Sequence, residues 1–316
     1  MRVALVCPAP KGSHLGNRVT ALRWQAMLRD LGHRVVIVEP GPAPRCDLLL
    51  ALHARKSAGS IRSVRELWPE AAVVLALTGT DLYGDIHTDD SARRSLELAD
   101  RLVVLHAGGA AELPRRLRDK VRVVPQSAEA PRAAGRPLVR VFEIAVVGHL
   151  RDVKDPLRAA HAARLLPEHS RLRVTHVGAA LSPDQRAAAL AEQRTNPRYR
   201  WLGERSPGQA RRLIGRARAL CITSRLEGGA NVVSEAIAAG TPVLASRIPA
   251  LVSILGRDHP GFFPFGDTGA LAKLFARAEA APGFLADLRR RSVRLRPALS
   301  PAKEKAALRR LLAELD

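Results

Sequence analysis

Aromatic residues and cysteines are scarce in this sequence of 316 residues, and long apolar runs are missing. Aromatic residues make up 3% of the chain, so leucine, valine, alanine and isoleucine must fill the core. No apolar run approaches the roughly 20 residues of a membrane helix. The opening MRVALVCPAPKG is typical of a first strand and not of a signal peptide. We therefore expect a cytoplasmic protein without membrane association.

The three cysteines, Cys7, Cys46 and Cys221, lie far apart and show no paired spacing, which argues against a disulfide framework and against a zinc site. The net charge is +21, and only seven of the 51 basic residues are lysine. These basic residues are spread along the chain, aromatic residues for base stacking are few, and no nucleic-acid-binding signature is present. We expect no nucleic-acid partner, and a basic cleft for a small, multiply anionic ligand fits better.

Apolar stretches of strand length alternate with segments of helical periodicity. Strands that are apolar throughout and separated by helices indicate a parallel sheet covered on both faces. The stretch 126–139, rich in Ala, Pro and Arg, interrupts this alternation, which then restarts. We predict an α/β protein of two doubly wound Rossmann-like domains, 1–135 and 136–316, facing each other across a cleft that the carboxyl ends of the strands line. The last helix is free to pack back on the first domain.

Two glutamates and a glycine pair follow the predicted strand ALCITS in the stretch SRLEGGANVVSEAIAAGTPVLAS. Residues 228–230 precede a helix that we predict to begin near Asn231, and the amides and dipole of a helix start bind anions. Glu227 lies beside this start, and Glu235 lies one turn further on, on the helix face of Asn231. Carboxylates there suit sugar hydroxyls, so the pattern favours a nucleotide diphosphate sugar. A solvated glutamate pair in an ordinary βαβ unit is the alternative.

A second loop, GHLRDVKDP, follows the first predicted strand of the second domain and contains His149, Arg151 and Lys154. It should face the same cleft, where cations would neutralise a diphosphate leaving group. Taken singly, each of these residues is more commonly a solvated loop charge.

These residues carry a family resemblance. The pattern E-x7-E after a strand, with G-x-L-x-x-x-K earlier in the same domain, resembles family 4 of the glycosyltransferases, which have the GT-B fold. The resemblance covers the whole chain. It implies that Glu227 contacts the donor sugar, Glu235 the ribose and Lys154 the diphosphate, and that backbone near Leu202 holds the base. It also implies that the enzyme needs no metal or other cofactor.

The sequence departs from family 4 at two positions. His149 stands where the family usually has Arg, with Arg151 as its candidate replacement. Thr78, in the loop TGTD, stands where the family often has His, so no general base is carried over. The catalytic candidates are Lys154, Glu227 and Arg151. The donor-binding candidates are Gly16, His149, Leu202, Gly228, Gly229, Ala230, Asn231, Val232 and Glu235.

Polar and cationic residues also follow the predicted strands of the first domain, and they suit a small anionic acceptor. The acceptor-binding candidates are His14, Asn17, Arg18, His53, Arg55, Thr80 and Asp81. The stretches GNRVTALRWQAMLRDLGHRV, LHARKSAGSI, LTGTDLYGDI and SRLEGGANVVSEA resemble the selenosugar synthases of selenoneine biosynthesis, a divergent branch of family 4. That resemblance implies transfer from a UDP-sugar, UDP-GlcNAc or UDP-glucose, to selenophosphate.

Other functions fit the same residues. A phosphorylated or carboxylated alcohol would agree with the cationic acceptor side as well as selenophosphate does. A family 4 glycosyltransferase for a cell-surface acceptor or a small thiol or alcohol is the second hypothesis, with the basic C-terminal helices touching an anionic membrane. A non-catalytic basic protein is the third.

Overall fold

The computed structural model of the protein describes residues 1–131 and 135–315, so that residues 132–134 of the predicted linker lie outside the described residues. The chain forms two compact units. Unit 1 contains Met1–Gln126, the short segment Glu227–Gly229 and the C-terminal segment from Pro301 onward.

Unit 2 contains the rest of the chain, Ser127–Leu226 and Ala230–Ser300. The first segment of unit 1 therefore ends before residue 135, where the sequence predicts the boundary. The three residues Glu227–Gly229 belong to unit 1 although they are followed directly by a helix of unit 2.

The sheet of unit 1 is parallel and has six strands in the order β2-β1-β3-β4-β5-β6. Its strands are β1 (Arg2–Val6), β2 (Arg34–Val38), β3 (Leu48–Leu52), β4 (Ala72–Leu77), β5 (Arg101–Val104) and β6 (Val121–Val123). The helices between them are α1 (Gly16–Asp30), α2 (Ala58–Leu67), α3 (Ile86–Thr88) and α4 (Asp90–Leu98). A π-helical turn, Asp81–Asp85, and two 3₁₀ turns, Ala107–Glu112 and Arg115–Lys120, complete the connections.

The interior strands of this sheet are apolar because both of their faces are covered. All five residues of β3 are buried, and residues on opposite faces of the sheet pack in two separate cores. The continuous run LLLAL is what a parallel strand with helices on both sides requires.

The sheet of unit 2 is also parallel and has six strands, in the order β12-β11-β10-β7-β8-β9. Its strands are β7 (Phe142–Val147), β8 (Leu172–Val177), β9 (Tyr199–Trp201), β10 (Ala219–Ile222), β11 (Val243–Ser246) and β12 (Phe262–Phe263). Its helices are α5 (Arg158–Arg164), α6 (Pro183–Thr195), α7 (Pro207–Arg216), α8 (Asn231–Ala239), α9 (Pro249–Leu255), α10 (Thr268–Ala280) and α11 (Pro282–Leu295). A 3₁₀ turn, Asp152–Lys154, follows β7.

The last helix, α12 (Pro301–Leu312), belongs to unit 1. Its apolar residues, among them Leu308 and Leu311, share a core with Trp24 of α1. Glu304 is fully buried (0% exposed) and accepts hydrogen bonds from Trp24 Nε1 at 2.6 Å and from Arg23 Nε at 3.1 Å. A buried carboxylate with these partners fixes the helix on α1 in one register.

Two parallel sheets, each covered by helices, are the α/β architecture that the sequence predicts. Within the described residues, no helix is both long enough and apolar enough to cross a membrane. The three cysteines are buried and free.

Candidate active site

The strand order of unit 2 locates its ligand-binding edge. The chain starts the sheet at β7, adds β8 and β9 on one side and then β10, β11 and β12 on the other. The direction of winding therefore changes between β7 and β10, and open α/β sheets bind ligands outside the carboxyl ends of the strands at such a switch point. The loops that leave β7 and β10 are GHLRDVKD and TSRLEGG, which are the two loops that the sequence singles out.

The loop after β7 is fixed by tight packing on the end of β8. A Cβ on Gly178 would lie 1.8 Å from the carbonyl oxygen of Gly148, so a larger residue at position 178 would force the backbone apart. His176 donates from Nε2 to the same carbonyl at 3.0 Å and accepts at Nδ1 from the Tyr199 hydroxyl at 3.0 Å. Burial lowers the pKa of His176 to about 4, which keeps this imidazole neutral and its hydrogen on the Gly148 side.

The same loop is tied to the end of β10. Thr223 Oγ1 lies 2.8 Å from the carbonyl oxygen of Lys154 and 2.9 Å from that of Asp155. The Arg225 N–H donates to the carbonyl of Val153 at 2.8 Å. These bonds fix the backbone of Lys154 beside the strand that leads into the glutamate loop. The side chain of Lys154, which is the predicted contact of the diphosphate, therefore starts from a fixed backbone position and is half-buried.

The other two cations of this loop differ in their surroundings. His149 Nδ1 accepts a hydrogen bond from the Ala179 N–H at 3.1 Å, so one ring nitrogen serves the loop itself. Arg151 lies immediately before the 3₁₀ turn and is exposed. Of the three, Lys154 is the cation whose carbonyl oxygen contacts the end of β10 through Thr223.

The glycine pair is explained by contacts within unit 1. A Cβ on Gly228 would lie 2.1 Å from the carbonyl oxygen of Thr78, and one on Gly229 would lie 2.3 Å from Gln126 Oε1. Gln126 in turn donates to Thr20 Oγ1 at 2.7 Å. A side chain at Gly228 would collide with backbone, and one at Gly229 would have to displace the Gln126 side chain, a reason for the glycine pair that the sequence alone did not give.

Helix α8 begins directly after this segment. Ala230 precedes it with φ +47° and ψ +65°, a left-handed conformation that an alanine adopts only under strain. The side chain of Ala230 makes no capping hydrogen bond, and the first turn of the helix contains no acidic residue. A helix start whose first turn lacks acidic residues is compatible with an anion, and the anion site that the sequence places at the stretch with Asn231 and Val232 stays a prediction.

The two glutamates are held in different environments. Glu227 is buried (7% exposed) and immediately precedes the glycine pair in unit 1. Glu235 lies on α8 with 18% of its side chain exposed, and its Oε1 is 4.0 Å from an Arg211 guanidinium nitrogen. Glu235 shares its helix face with Asn231, as the four-residue spacing predicts.

Leu202 lies just past β9, and its N–H donates to the carbonyl of His176 at 2.8 Å. The neighbouring Trp201 donates from Nε1 to the carbonyl of Gly178 at 2.8 Å. Leu202 is thus linked by backbone to β8 next to the strand end that supports the His149 loop.

Unit 1 has its own switch point, between β1 and β3, because β2 lies on one side of β1 and the later strands lie on the other. The loops leaving these strands contain two groups of the predicted acceptor residues. His14, Asn17 and Arg18 lie in the loop after β1 and the first turn of α1, which also contains the donor candidate Gly16, and His53 and Arg55 follow β3. Thr80 and Asp81 follow β4, the next strand along the sheet.

Asp81 is fully buried (0% exposed) and binds backbone. Its Oδ1 accepts from the N–H groups of Thr78 at 2.9 Å and Gly79 at 2.8 Å, and its Oδ2 accepts from the N–H of Ala54 at 3.0 Å. The carboxylate therefore joins the ends of β3 and β4. The sequence interpretation assigns Asp81 to the acceptor, and the structure adds this structural role.

His53 is the most constrained residue at this edge. Its φ is +76°, and it is buried (3% exposed). Strain of this kind costs about 1–3 kcal/mol and persists only where the surroundings enforce it. Its Nε2 lies 3.2 Å from Thr80 Oγ1 and 3.7 Å from Asp85 Oδ2, and Asp85 also pairs with Arg55 Nε at 3.1 Å.

Three contributing residues were missed by the sequence interpretation. Thr223 and Gln126 act through side-chain contacts with backbone or with other buried side chains, and neither belongs to a recognisable motif. Asp85 lies four residues after Asp81 in the stretch DLYGD, and the sequence interpretation selected only Asp81. Among the described residues, no group of histidine, cysteine and acidic side chains could hold a metal ion.

Comparison with known proteins gives the class. Residues 136–293, half of the chain, match the family described as Glycosyl transferases group 1, and the chain belongs to that family. It is a glycosyltransferase of group 1. No curated protein sequence matches the chain.

Several solved structures are similar along the whole chain. Sucrose-phosphate synthase from Thermosynechococcus elongatus has 16% sequence identity and a TM-score of 0.79, with 99% of this chain and 98% of that chain covered. HepE from Anabaena, in complex with UDP and glucose, has 14% identity and a TM-score of 0.79, with coverage of 99% and 100%. The E. coli trehalose-6-phosphate protein bound with UDP-2-fluoro glucose has 12% identity and a TM-score of 0.75, with coverage of 100% and 99%. At these identities the likeness shows the fold, which is the predicted GT-B fold.

Proposed function

We propose that this glycosyltransferase transfers the sugar of a UDP-sugar, UDP-GlcNAc or UDP-glucose, to selenophosphate. The assignment of the donor rests on the contacts of Thr223 at the switch point of unit 2. They hold the Lys154 loop beside the strand that leads to the two glutamates. Two similar structures contain UDP or a UDP-sugar analogue, which supports a uridine nucleotide as donor.

In this proposal each donor residue meets one part of the nucleotide sugar. The start of α8 binds the diphosphate, Glu235 binds the ribose hydroxyls, and Glu227 binds the sugar. Leu202 backbone meets the base. Lys154 stabilises the charge that grows on UDP as the bond between the sugar C1 and the UDP oxygen breaks. A cation that acts there lowers the barrier more than it strengthens binding.

The assignment of an anionic acceptor rests on the basic residues at the switch point of unit 1. A selenophosphate anion needs no general base, because its selenium already carries the attacking electron pair. The selenium forms the bond to C1, and the electron pair of the breaking C1–O bond leaves with UDP. The immediate product keeps its phosphoryl group on selenium, and attack of water on phosphorus then gives the 1-selenosugar and phosphate.

A phosphorylated alcohol is the second candidate acceptor. Two of the similar structures carry the names sucrose-phosphate synthase and trehalose-6-phosphate, and the same basic edge would suit a sugar phosphate. An alcohol attacks as oxygen and must lose a proton, so this candidate requires a base that selenophosphate does not.

UDP release separates these candidates. The purified chain is incubated with UDP-glucose or UDP-GlcNAc and with selenophosphate, orthophosphate, glucose 6-phosphate, a simple thiol or no acceptor. The proposal expects release that depends on selenophosphate, with one donor preferred. Release that depends only on the sugar phosphate favours the second candidate, and release with none of the acceptors contradicts both.

Thermal stability distinguishes an enzyme from a non-catalytic basic protein. A ligand present at about 100 times its dissociation constant stabilises the folded state by about 2.7 kcal/mol. For units of this size that corresponds to a shift of roughly 5–10 °C in melting temperature. We expect such a shift with UDP and not with uridine at the same concentration. No shift with UDP would contradict a nucleotide donor.

A further inference from the structure

Three side chains of unit 1 form a chain of polar contacts that the donor chemistry does not use. Asp85 Oδ2 lies 3.7 Å from His53 Nε2, and the same nitrogen lies 3.2 Å from Thr80 Oγ1. His53 comes from the end of β3, while Thr80 and Asp85 come from the connection after β4. The imidazole therefore links two neighbouring strand ends at the edge where the acceptor residues lie.

The contacts of the ring determine which nitrogen carries its hydrogen. The Lys56 N–H donates to His53 Nδ1 at 3.5 Å, so Nδ1 is an acceptor. A carboxylate oxygen of Asp85 faces Nε2, which favours a hydrogen on that atom. His53 is therefore the Nε2–H tautomer, and it donates to Thr80 Oγ1.

The ring is also neutral near pH 7. Burial lowers the pKa of His53, and the cations Lys56 and Arg55 act in the same direction, whereas the carboxylates of Asp81 and Asp85 oppose them. A neutral Nε2–H tautomer has a single hydrogen, and that hydrogen lies between Thr80 and Asp85.

The tautomer of His53 determines the hydrogen-bonding role of the Thr80 hydroxyl. Its oxygen accepts from His53, and within the described part of the chain no other hydrogen bond of this hydroxyl is present. Its own hydrogen is then directed away from the ring and is available to a ligand that accepts it. A hydroxyl held as a donor selects a ligand atom that can only accept, such as an oxygen of a phosphate-type anion.

We propose that His53 is a positioning residue that fixes the Thr80 hydroxyl as a hydrogen-bond donor to an oxyanion of the acceptor substrate. The proposal rests on the proposed function for the presence of an anionic acceptor. Asp81 supports it, because the same buried carboxylate holds the amide of Ala54, next to His53, and those of Thr78 and Gly79, just before Thr80. The Asp81 carboxylate thus holds the backbone next to both residues of the His53–Thr80 contact.

Kinetics of three variants test the hydroxyl. Thr80→Val removes it at nearly constant shape, Thr80→Ser restores it, and His53→Asn keeps a residue that tolerates the left-handed backbone but is too short to reach Thr80. We expect Thr80→Val and His53→Asn to raise the KM for selenophosphate roughly ten- to hundredfold, with the Kd of UDP unchanged. Thr80→Ser should recover most of this loss. The matched control His87→Asn, at a half-exposed histidine of α3, should leave both constants unchanged.

A loss confined to kcat, or an equal rise in the KM of Thr80→Ser, would overturn the role given to the hydroxyl. A second measurement does not depend on any acceptor. This measurement is ¹⁵N NMR of protein labelled at histidine. The His53 signals are those that disappear in His53→Asn, which serves here only for assignment. We expect a neutral ring with hydrogen on Nε2 at pH 7.5, and a shift of that nitrogen in Thr80→Val.

A cationic ring at pH 7.5, or hydrogen on Nδ1, would overturn the proposal even if selenophosphate proves to be the acceptor. Conversely, the expected tautomer together with no turnover of selenophosphate or of any other anion would leave the hydrogen-bonding geometry standing and refute the proposed function. The two failures are therefore distinguishable.

Discussion

Replacement of Asp81 should destabilise unit 1 strongly. The carboxylate is fully buried and accepts three backbone N–H groups at 2.8–3.0 Å. Asp81→Ala leaves three N–H donors without their partner, two of them buried and that of Thr78 partly buried, and a buried donor costs about 1–3 kcal/mol when unsatisfied. Water entering the vacated space satisfies part of this need, so we expect a loss of about 4 kcal/mol. That is a large fraction of the roughly 5–15 kcal/mol by which domains are stable.

Asp81→Asn should cost less. The amide oxygen can still accept from Thr78 and Gly79, but the amide nitrogen then faces the N–H of Ala54, donor against donor. The loss of one charge-assisted hydrogen bond corresponds to about 1.5–3 kcal/mol. The ratio of the two losses in unfolding free energy therefore shows how the three hydrogen bonds are divided between the two carboxylate oxygens of Asp81.

Urea unfolding measures both variants. Trp24 and Trp68 report on unit 1 by fluorescence, and a Trp201→Phe background removes the signal of unit 2. The control Asp119→Ala, at an exposed aspartate of unit 1, should change stability by less than about 0.5 kcal/mol. If Asp81→Asn and Asp81→Ala are as stable as the control and only weaken the acceptor, the carboxylate is a ligand for substrate and the structural reasoning is wrong.

Four further predictions concern unit 2 and the glutamate loop. Lys154→Ala should lower turnover at saturating donor about a hundredfold, with Arg151→Ala milder; a dead Arg151→Ala beside an active Lys154→Ala would move the role to Arg151. Glu235→Ala should weaken UDP itself about ten- to hundredfold by calorimetry, and unchanged affinity would refute the ribose contact. Glu227→Gln should lower turnover with UDP binding nearly intact, and a wild-type rate with wild-type sugar selectivity would exclude a sugar contact. Gly178→Ala should lose about 3 kcal/mol in thermal unfolding, and a normal melting temperature would show that the backbone there can move.

The sequence predicts the sheets because their signal is local. A run such as LLLAL is apolar at every position, and only a strand covered on both faces has that requirement. The start of α8 was equally predictable, since a glycine pair before an apolar helix and a glycine after it mark both ends. These features depend on neighbours within about ten residues.

Contacts between distant segments could not be predicted in the same way. The apolar face of α12 is visible in the sequence, but nothing local indicates that Glu304 meets Trp24 of α1. The left-handed backbone of His53 likewise follows from the Asp81 carboxylate and the hydrogen bond to Thr80, which are tertiary contacts. Residue type offers candidates for the chemistry, whereas only the contacts of the folded chain show which of them, such as Asp81, also bind backbone.

The most direct test of the central claim is the bond formed at C1 of the sugar. UDP-sugar labelled with ¹³C at C1 is incubated with the protein and selenophosphate, and the product is observed by ¹³C NMR. We expect the C1 signal to move with UDP release and to show one-bond coupling to ⁷⁷Se, which requires a carbon–selenium bond. A C1 signal without selenium coupling, from free sugar or from a sugar joined through oxygen, would contradict selenophosphate as the acceptor.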